Sequence, residues 1–314
     1  MKPVLCFGDI CPDILIPYGA ACDFRAGLCV DTNSLTVTVG QGGSVANTCV
    51  GLARQDVPAM FCGCVGNDNY GKILKTGLEA DNVDVSLMKV SDDVPTILVL
   101  IIVDGNGERT AFACPRVGAS QHYITKDQIP NDIEKRISWL HCGGITLREE
   151  PSASVQLELM RRCKAQGVPV SFDVNARLES ASDAFFARNV DAAICLCDYL
   201  TGSEHDEILP LLKARNLDNP SRLCKTVVLR SGKHGAKVIS DGTTYESSAF
   251  KVEVRDTVGA GDAYNAGFIA ALLKGSSLAE ANVNACATAA LCVSGLGGRA
   301  LPTTSELKAF LSAY

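Results

Sequence analysis

The chain has 314 residues, of which 47% are hydrophobic and 20% are charged. This balance is typical of a globular protein with a sizeable core, arranged as one large domain or two small ones. The formal net charge of −6 at pH 7 gives no electrostatic reason to bind nucleic acid. The composition therefore favours small molecules as partners.

No segment is apolar over the length that a bilayer span needs, so no membrane partner is expected. The longest apolar run, Ile97 to Val103, has the length of a strand. The N-terminal segment reaches Asp9 too early to contain the apolar core of a signal peptide. The expected compartment is therefore the cytoplasm.

The chain contains 15 cysteines, and most of them stand inside apolar runs, where a free thiol behaves as a small hydrophobic group. There are two Cys-x-Cys pairs, Cys62/Cys64 and Cys195/Cys197, but no Cys-x-x-Cys. The four histidines show no metal-ligand spacing. Buried thiols are therefore expected in place of a zinc site.

The N-terminal part of the chain is predicted to contain buried strands that end at glycines and helices that follow glycine turns. Alternation of threonine with apolar residues at 35–39 predicts a half-exposed strand. In chain order the predicted elements are a strand at 3–8, a strand at 35–39, a glycine turn at 40–43, a helix at 44–53, a strand at 60–65 and a helix at 70–80.

Two β-rich runs come next, at 95–104 and 108–114, and the sequence Asp104-Gly-Asn-Gly107 between them is a strong hairpin signal. Together with 13–17 and 35–39, the segment from about 95 to 115 is expected to form a small antiparallel sheet apart from the main body. Such a sheet, exposed on one face, is a natural lid over a binding site.

Strands and helices alternate regularly in the rest of the chain. This rhythm predicts a mostly parallel sheet covered on both faces, within one α/β domain spanning 1–314, and ligands bind such sheets at the carboxyl ends of the strands. The predicted strands are 139–142, 169–173, 193–197 and 226–230, the predicted helices are 152–166, 182–188 and 204–214, and a hairpin is predicted at 236–239 and 243–247.

The turn Asp256-Thr-Val-Gly-Ala-Gly-Asp262 opens directly into an apolar helical run that reaches Leu273. Backbone N–H groups at such a helix start can hold an anion. A carboxylate beside an anion site is best explained as a general base that takes a proton from a hydroxyl. These features point to phosphoryl transfer from a nucleotide to an alcohol. The alternative is a glycine turn in which Asp262 only caps the helix.

Two motifs near the N-terminus are suited to a hydroxylated ligand. In the first, the glycines of Gly40-Gln-Gly-Gly43 allow close backbone approach, and Asn47, one turn into the helix, offers a donor and an acceptor. In the second, Asp13 follows the first strand, where a carboxylate can accept from vicinal hydroxyls. The alternatives are a tight turn with a polar helix face and a solvated loop residue.

Four further motifs follow strands or link helices. Each has a structural alternative as a turn or a helix cap; for Glu204 the alternative is a capping box with Thr201 as the cap. The four motifs are Asp173-Val-Asn-Ala-Arg177, Thr201-Gly-Ser-Glu204, Arg230-Ser-Gly-Lys-His-Gly235 and Ser294-Gly-Leu-Gly-Gly298. Glu204 would suit a hydrated magnesium ion near phosphates, and the last two motifs would suit a nucleotide.

The ordered set of motifs resembles the ribokinase-like (PfkB) carbohydrate kinase family over nearly the whole chain. The matching elements are Gly8-Asp9 with Asp13, Gly42-Gly43 with Asn47, Val65-Gly-Asn-Asp68 with Gly71, Asp173-x-Asn175-x-Arg177, Glu204, Gly232-x-x-Gly235, Asp256-Thr-x-Gly-Ala-Gly-Asp262, and Gly295 with Leu301-Pro302. The Asp-Thr-x-Gly-Ala-Gly-Asp element is highly specific to this family.

The resemblance implies a three-layer α/β/α fold with a mostly parallel central sheet and a small β-sheet lid that often forms a dimer interface. It also implies phosphorylation of a primary alcohol of a sugar by ATP with Mg²⁺. By carry-over, the base is Asp262, and the anion hole is formed by Gly259, Ala260 and Gly261. The sugar is held by Asp13, Gly42, Gly43 and Asn47. The residues along the nucleotide are Ser231, Gly232, Gly235 and Asn284, and Glu204 helps to position hydrated magnesium.

Two positions depart from the family pattern. Thr201 replaces the asparagine of the usual Asn-x-x-Glu, and Arg230-Ser231 replaces a common Thr-Leu pair before Gly232. Contacts to magnesium or phosphate are therefore open at these positions. The loops at 256–257 and 294–295 are where some family members bind an activating monovalent cation such as K⁺, and that dependence is also open here.

The acceptor has several candidates: fructose, ribose and 2-keto-3-deoxygluconate lead, and a nucleoside is the main rival. A nucleoside base needs an apolar slab, for which Tyr18, Phe24 and Phe112 are candidates, and Arg109, Arg116 and Arg148 are candidate readers of an anionic group. A dinucleotide-dependent oxidoreductase is disfavoured because Gly8 to Asp13 lacks the phosphate fingerprint. A non-catalytic sugar sensor is disfavoured because Asp262 is retained.

Overall fold

The computed structural model describes residues 1–17, 37–103, 109–115, 118–175 and 184–314. Its strands are β1 (Val4–Phe7), β2 (Cys11–Pro17), β3 (Thr38–Gly42), β4 (Ala59–Gly66), β5 (Asp84–Ser91), β6 (Leu98–Val103), β7 (Arg109–Cys114), β8 (Trp139–Gly143), β9 (Val170–Asp173), β10 (Tyr199–Ser203), β11 (Thr226–Arg230), β12 (Ala236–Ser240) and β13 (Thr243–Ser247).

The α-helices alternate with these strands through most of the chain. They are α1 (Ser44–Arg54), α2 (Asn69–Ala80), α3 (Ile133–Arg136), α4 (Ser152–Ala165), α5 (Ala184–Leu196), α6 (Leu209–Ala214), α7 (Ala260–Leu273), α8 (Leu278–Val293) and α9 (Thr304–Ala313). A wider helical turn, Glu204–Ile208, leads into α6. Within the described ranges, no helix combines the length and the apolar character that crossing a membrane requires.

The large sheet has the order β13-β12-β11-β10-β9-β8-β1-β4-β5, and it is parallel from β5 to β11. Its interior strand β1, between β8 and β4, is buried on both sides, which explains its continuous apolar sequence. Leu5 and Phe7 join one core cluster with α4 and α5, whereas Val4 and Cys6 join another with α1 and α7. Helices therefore cover both faces, which confirms the predicted three-layer α/β/α architecture.

A smaller separate sheet has the order β3-β2-β6-β7. It was predicted to be antiparallel, but β2 and β6 pair in parallel, and only the β2–β3 and β6–β7 pairs are antiparallel. The two strands of the predicted hairpin are confirmed, since Val103 pairs with Arg109. Its turn at 104–107 lies outside the described residues, as does the start of the strand predicted at 35–39.

The strand predicted at 193–197 is wrong, because these residues close helix α5 and the strand lies at β10. Phe186, Val190, Ala193 and Ile194 are all buried, at spacings that place them on one face of the helix. A short apolar run fits a buried strand and a buried helical turn equally well. Here the buried residues repeat at helical spacing over a longer segment, so the segment is a helix. Strand β5 and helices α8 and α9 were not predicted.

Most thiols that the structure describes are buried, as expected. Cys62 and Cys64, on β4 of the large sheet, belong to one of its core clusters, whereas Cys114 and Cys195 are exposed. In the part of the chain with described coordinates, no cluster of three or more His, Cys, Asp or Glu side chains is arranged to hold a metal ion.

Candidate active site

The glycine turn before α7 leaves backbone donors at the start of a long helix. Gly259 has φ +79°, and a Cβ there would lie 2.5 Å from the carbonyl oxygen of Gly298, so the turn requires glycine. The N–H groups of Gly261 and Asp262 have no acceptor among the described residues, whereas Ala263 already donates to Gly259. Unpaired N–H groups at a helix N-terminus favour an anion.

Asp262 lies in the first turn of α7 and accepts hydrogen bonds from α1. Its Oδ1 accepts from Ser44 Oγ at 2.5 Å, and its Oδ2 accepts from Asn47 Nδ2 at 2.9 Å. The glycine turn and the Asn47 motif, 215 residues apart in sequence, thus meet in space. Gly259, not Asp262, occupies the cap position of α7, so the simple capping role does not apply.

The surroundings of Asp262 raise its pKa from the usual 3.8 to about 7. Burial is the main cause, the hydrogen bonds from Ser44 and Asn47 oppose it, and the negative charges of Asp173 and Asp9 add to it. Proton transfer is most efficient when the pKa of the base lies near the working pH. Asp262 is therefore suited to take a proton from an alcohol at neutral pH.

Asp13 and the double glycine form one end of the site. A Cβ at Gly42 would overlap the carboxylate of Asp13, and Gly43, at φ +93°, lies against the backbone of Ile10. Burial raises the pKa of Asp13 to about 6, against the lowering effect of a hydrogen bond from Cys11 Sγ. The two glycines thus make room for a carboxylate that can accept from substrate hydroxyls.

Asp9 has a different role from Asp13. Its carboxylate accepts from the backbone N–H of Ser44 at 2.8 Å and of Val45 at 3.4 Å. It therefore satisfies the first amides of α1, and this contact helps to place Ser44 and Asn47 opposite Asp262.

The opposite end of the site is a cavity of about 230 Å³ beside the loop between β11 and β12. Its lining residues are Glu204, His205, Ser231, His234, Ala236, Lys237, Glu246, Ser247 and Ser248. Gly232 and Gly235 lie in this loop with φ +54° and +95°. Asn284 is on α8, where its Nδ2 donates to the carbonyl of Glu280 at 2.8 Å, and it does not line the cavity.

Glu204 lines this cavity, and its carboxylate accepts a hydrogen bond from the Ser231 hydroxyl. The predicted alternative, with Thr201 as its helix cap, is wrong. Ser203 is the cap, and the Thr201 hydroxyl donates to Asn265 Oδ1 at 2.8 Å. One carboxylate at such a cavity fits magnesium, which usually takes one or two carboxylates, substrate phosphates and water.

Arg230, which stands at the end of β11, was not predicted as a functional residue. Its guanidinium makes two hydrogen bonds to Asp173, each of 2.9 Å, with side-chain exposures of 15% for Arg230 and 1% for Asp173. An arginine at a strand end, directly before a glycine loop, was the available signal. The sequence could not show that Asp173 is its partner, because 57 residues separate the two.

Other polar groups near Asn47 were not predicted either, and one predicted candidate, Arg148, is placed elsewhere. Arg299 Nε donates to Asn47 Oδ1 at 3.4 Å, and Arg299 Nη1 donates to Gln41 of β3. Arg148 lies over the ring of Phe186, 4.3 Å from its centroid. Tyr18, Phe24, Arg116, Arg177 and the side chain of Arg109 lie outside the described part of the structure.

Comparison with known proteins gives matches over most of the chain. Residues 1–304 match the model of the pfkB family carbohydrate kinases. Aminoimidazole riboside kinase of Salmonella typhimurium is 30% identical, with 87% of this chain and 88% of that protein covered. Fructokinase of Klebsiella pneumoniae is 32% identical, with coverages of 74% and 76%.

Among solved structures, fructokinase with bound ATP from Xylella fastidiosa superposes with a TM-score of 0.87 at 21% identity. The superposition covers 100% of this chain and 99% of that one. This likeness confirms the ribokinase-like fold class expected from the sequence.

Proposed function

Because the chain belongs to the pfkB family of carbohydrate kinases, we propose that it transfers the γ-phosphoryl group of ATP to a primary hydroxyl of a sugar or sugar-like acceptor. The observation that carries this proposal is the meeting of Asp262 with Ser44 and Asn47, beside the unpaired N–H groups of the turn. A base and an anion site adjoin there, as transfer to an alcohol requires.

In the proposed reaction, Asp262 accepts the proton of the acceptor hydroxyl. The acceptor oxygen bonds to the γ-phosphorus as the bond from that phosphorus to the bridging oxygen of ADP breaks. The N–H groups of Gly261 and Asp262 stabilise the charge on the transferring group, because no acceptor among the described residues occupies them. Asp13 and Asn47 orient the acceptor, which lowers the entropy cost of reaching the reactive geometry.

Glu204 is the residue that would hold hydrated Mg²⁺, which neutralises phosphate charge when bound. Ser231, which lines the cavity, and Gly232 and Gly235, which lie in the adjoining loop, would lie along the nucleotide. The assignment of Asn284 to the nucleotide rests on the family resemblance alone. The cytoplasm remains the expected compartment, because ATP, the proposed donor, is abundant there.

A monovalent cation such as K⁺ is proposed at the loops around Asp256 and Ser294. The carboxylate of Asp256 accepts from the N–H of Val258 and of Gly297, each at 3.0 Å, so it ties the two loops together. A cation at these loops would act on the turn that carries the anion site. Turnover in KCl compared with tetramethylammonium chloride at equal ionic strength tests this dependence.

Replacing Asp262 by Asn tests the proposed base. The amide keeps the size of the side chain but cannot take the proton, so kcat should fall by about 10²–10⁴-fold while ATP still binds. Asp218→Asn is the matched control, because Asp218 is 89% exposed on the surface. Turnover of the Asp262→Asn variant at the wild-type rate would contradict the assignment.

The acceptor is best found with a coupled assay of ADP release across hexoses, pentoses, keto-sugar acids, phosphosugars and nucleosides. Fructose, ribose and 2-keto-3-deoxygluconate are the leading candidates. A nucleoside acceptor is the second candidate, and it is favoured by the similarity to aminoimidazole riboside kinase. Sugar binding by calorimetry with no ADP release for any acceptor would instead support the non-catalytic sensor.

A further inference from the structure

Arg230 is a cation placed against the anion site. A Cβ added at Gly261 would lie only 2.7 Å from its Nη1 and 3.2 Å from its Cζ, so the guanidinium lies directly over this residue of the turn. The N–H groups of Gly261 and Asp262 have no acceptor in the described structure. An anion bound by these N–H groups would therefore lie close to the guanidinium.

The guanidinium is held in place by acidic groups that leave some of its donors available. Asp173 accepts from Nη1 and Nη2, and Glu207 Oε2 lies 3.5 Å from Nη2. A guanidinium has five N–H bonds, so this arrangement uses about three of them. Nη1, the nitrogen nearest to Gly261, has a second N–H beyond the one that it donates to Asp173.

The two departures from the family pattern belong to one hydrogen-bond network. Thr201 donates to Asn265, Asn265 donates to Asp173, and Asp173 pairs with Arg230. The Thr201 hydroxyl donates to Asn265, and a threonine has no side-chain amide such as an asparagine would offer at this position. Arg230, at the second departure, places a charged donor in the same part of the site.

The charges around the turn explain why a cation is needed there. Asp9, Asp173, Asp262 and Glu207 all lie near it, and a nucleotide triphosphate brings further negative charge. Burial disfavours the charged guanidinium, but Asp173 and Glu207 outweigh burial and raise the pKa of Arg230. The arginine therefore keeps its positive charge at neutral pH.

We propose that Arg230 binds the terminal phosphates of the nucleotide and stabilises the charge on the transferring phosphoryl group, with Asp173, Asn265 and Thr201 as its positioning residues. This inference rests on the proposed function. It gives Arg230, at the end of β11, a charged contact with the phosphates that the backbone N–H groups of the glycine turn cannot make. Gly261 must lack a side chain because any Cβ there would displace the guanidinium.

The test compares Arg230→Met/Asp173→Asn with Arg215→Met/Asp191→Asn, an ion pair between α5 and the end of α6. The double change avoids leaving a buried carboxylate unpaired, which Arg230→Met alone would do. Thermal unfolding establishes that each variant folds. Calorimetry then measures affinity for ATP and for AMP, and the coupled assay measures kcat with the best acceptor.

The Arg230 double variant should lose about 10²–10³-fold in kcat, as expected for one donor to a developing charge. Its affinity for ATP should fall about tenfold or more while its affinity for AMP, which lacks the terminal phosphates, stays the same. The Arg215 double variant should match the wild type in all three measurements. A folded Arg230 double variant with wild-type kcat and wild-type preference for ATP over AMP would overturn the proposal.

A measurement on the wild-type protein covers the case in which the double variant does not fold. The Nε–H resonance of Arg230, assigned by its loss in Arg230→Lys, should shift when ATP is added and stay in place when AMP is added. No shift with saturating ATP would overturn the proposal. Wild-type protein that binds ATP but phosphorylates no acceptor would overturn the proposed function and the role of Arg230 in transfer, but not its contact with the nucleotide. Wild-type protein that binds no ATP would overturn that contact as well.

Discussion

The reactivity of Asp262 depends on its neighbours rather than on its residue type. Burial raises its pKa to about 7, although Ser44 and Asn47 donate hydrogen bonds that favour the charged form. In the folded protein the proton is held more tightly than in the unfolded chain. The contribution of Asp262 to stability therefore falls as pH rises from about 4 to 7, where the carboxylate becomes charged.

The acid limb of the pH profile should report this carboxyl group. We expect kcat/KM to fall below pH 7, reaching about one tenth of its plateau near pH 6, because only the carboxylate takes the proton. Ser44→Ala removes a hydrogen bond that lowers the pKa, so it should move the limb to higher pH. The measurement is kcat/KM for the acceptor from pH 5 to 9.

Ser312→Ala is the control for this profile, because Ser312 lies on α9 and donates only to the carbonyl of Lys308. The acid limb of the pH profile of Ser312→Ala should coincide with that of the wild type. An unchanged limb in Ser44→Ala would mean that the acid limb reports a group other than Asp262.

The glycine at 42 should be essential for acceptor binding. Gly42→Ala places a methyl group on the carboxylate of Asp13, so KM for the acceptor should rise about tenfold or more with little change in ATP affinity. Gly40→Ala is the matched control, because its added Cβ would lie 3.7 Å from the nearest atom, an ordinary contact. Equal acceptor KM values in the two variants would contradict the role of Gly42.

At the scale of elements, the start of α2 is joined to the segment that enters β6 of the small sheet. Asp68 Oδ1 accepts from the N–H of Gly71 and from the Thr96 hydroxyl, and its Oδ2 accepts from the N–H of Thr96. Burial would raise the pKa of Asp68, but these hydrogen bonds outweigh burial and lower it. One side chain thus caps a helix and anchors the small sheet beside the large one.

Removing this carboxylate should destabilise the protein. Asp68→Ala should lower the free energy of unfolding by about 1–2 kcal/mol at pH 7, the usual cost of a lost helix cap. Because the folded pKa is lowered, this contribution is present above pH 4 and is lost as pH falls further, so the difference should shrink in acid. Urea unfolding at pH 7 and in acid measures it.

Asp218→Ala is the comparison for Asp68→Ala, since Asp218 is exposed and has only a long ion pair with Arg222. It should unfold like the wild type at both pH values. Equal stability of the two variants at pH 7 would argue against an anchoring role for Asp68.

For the whole molecule, the small sheet is the surface that we propose for a homodimer. Its edge strands β3 and β7 carry the exposed side chains of Val39 (54%) and Phe112 (44%). Unpaired edges and exposed apolar groups favour pairing with a second copy. The same sheet would then cover the acceptor end as the lid expected from the sequence, since Asp13 and Gly42 belong to it.

Light scattering after size exclusion should give twice the mass of the 33.1 kDa chain. Val39→Lys/Phe112→Lys should give the single mass, because two buried charges would oppose association. Leu209→Lys, at a side chain 43% exposed on α6, should leave the mass of the dimer unchanged. A wild-type protein that is monomeric at every concentration would exclude this interface.

Local patterns located most elements because their physical causes are local. Glycines mark the ends of strands, and buried strands such as β1 are apolar throughout. The prediction failed at 193–197, where a short apolar run fits a helix as well as a strand. It also failed for the direction of β2 against β6, because pairing between distant segments leaves no local signal.

The candidate site, too, was predicted from the sequence only in part. The turn before Asp262 and the double glycine were found from sequence, because both need glycine at particular backbone positions. Ser44 and Arg230 were missed as functional residues, since their partners are 218 and 57 residues away in the chain. Such contacts exist only after folding brings the strand ends to one edge of the sheet.

The sequence by itself determined the layered α/β architecture, the family and the glycine turn that carries Asp262, because periodicity and glycine requirements are written in neighbouring residues. Only the tertiary structure decided the raised pKa of Asp262, the pairing of Arg230 with Asp173 and the place of that guanidinium over Gly261. Burial and electrostatic interaction depend on distance in space, and the order of residues along the chain does not contain that distance.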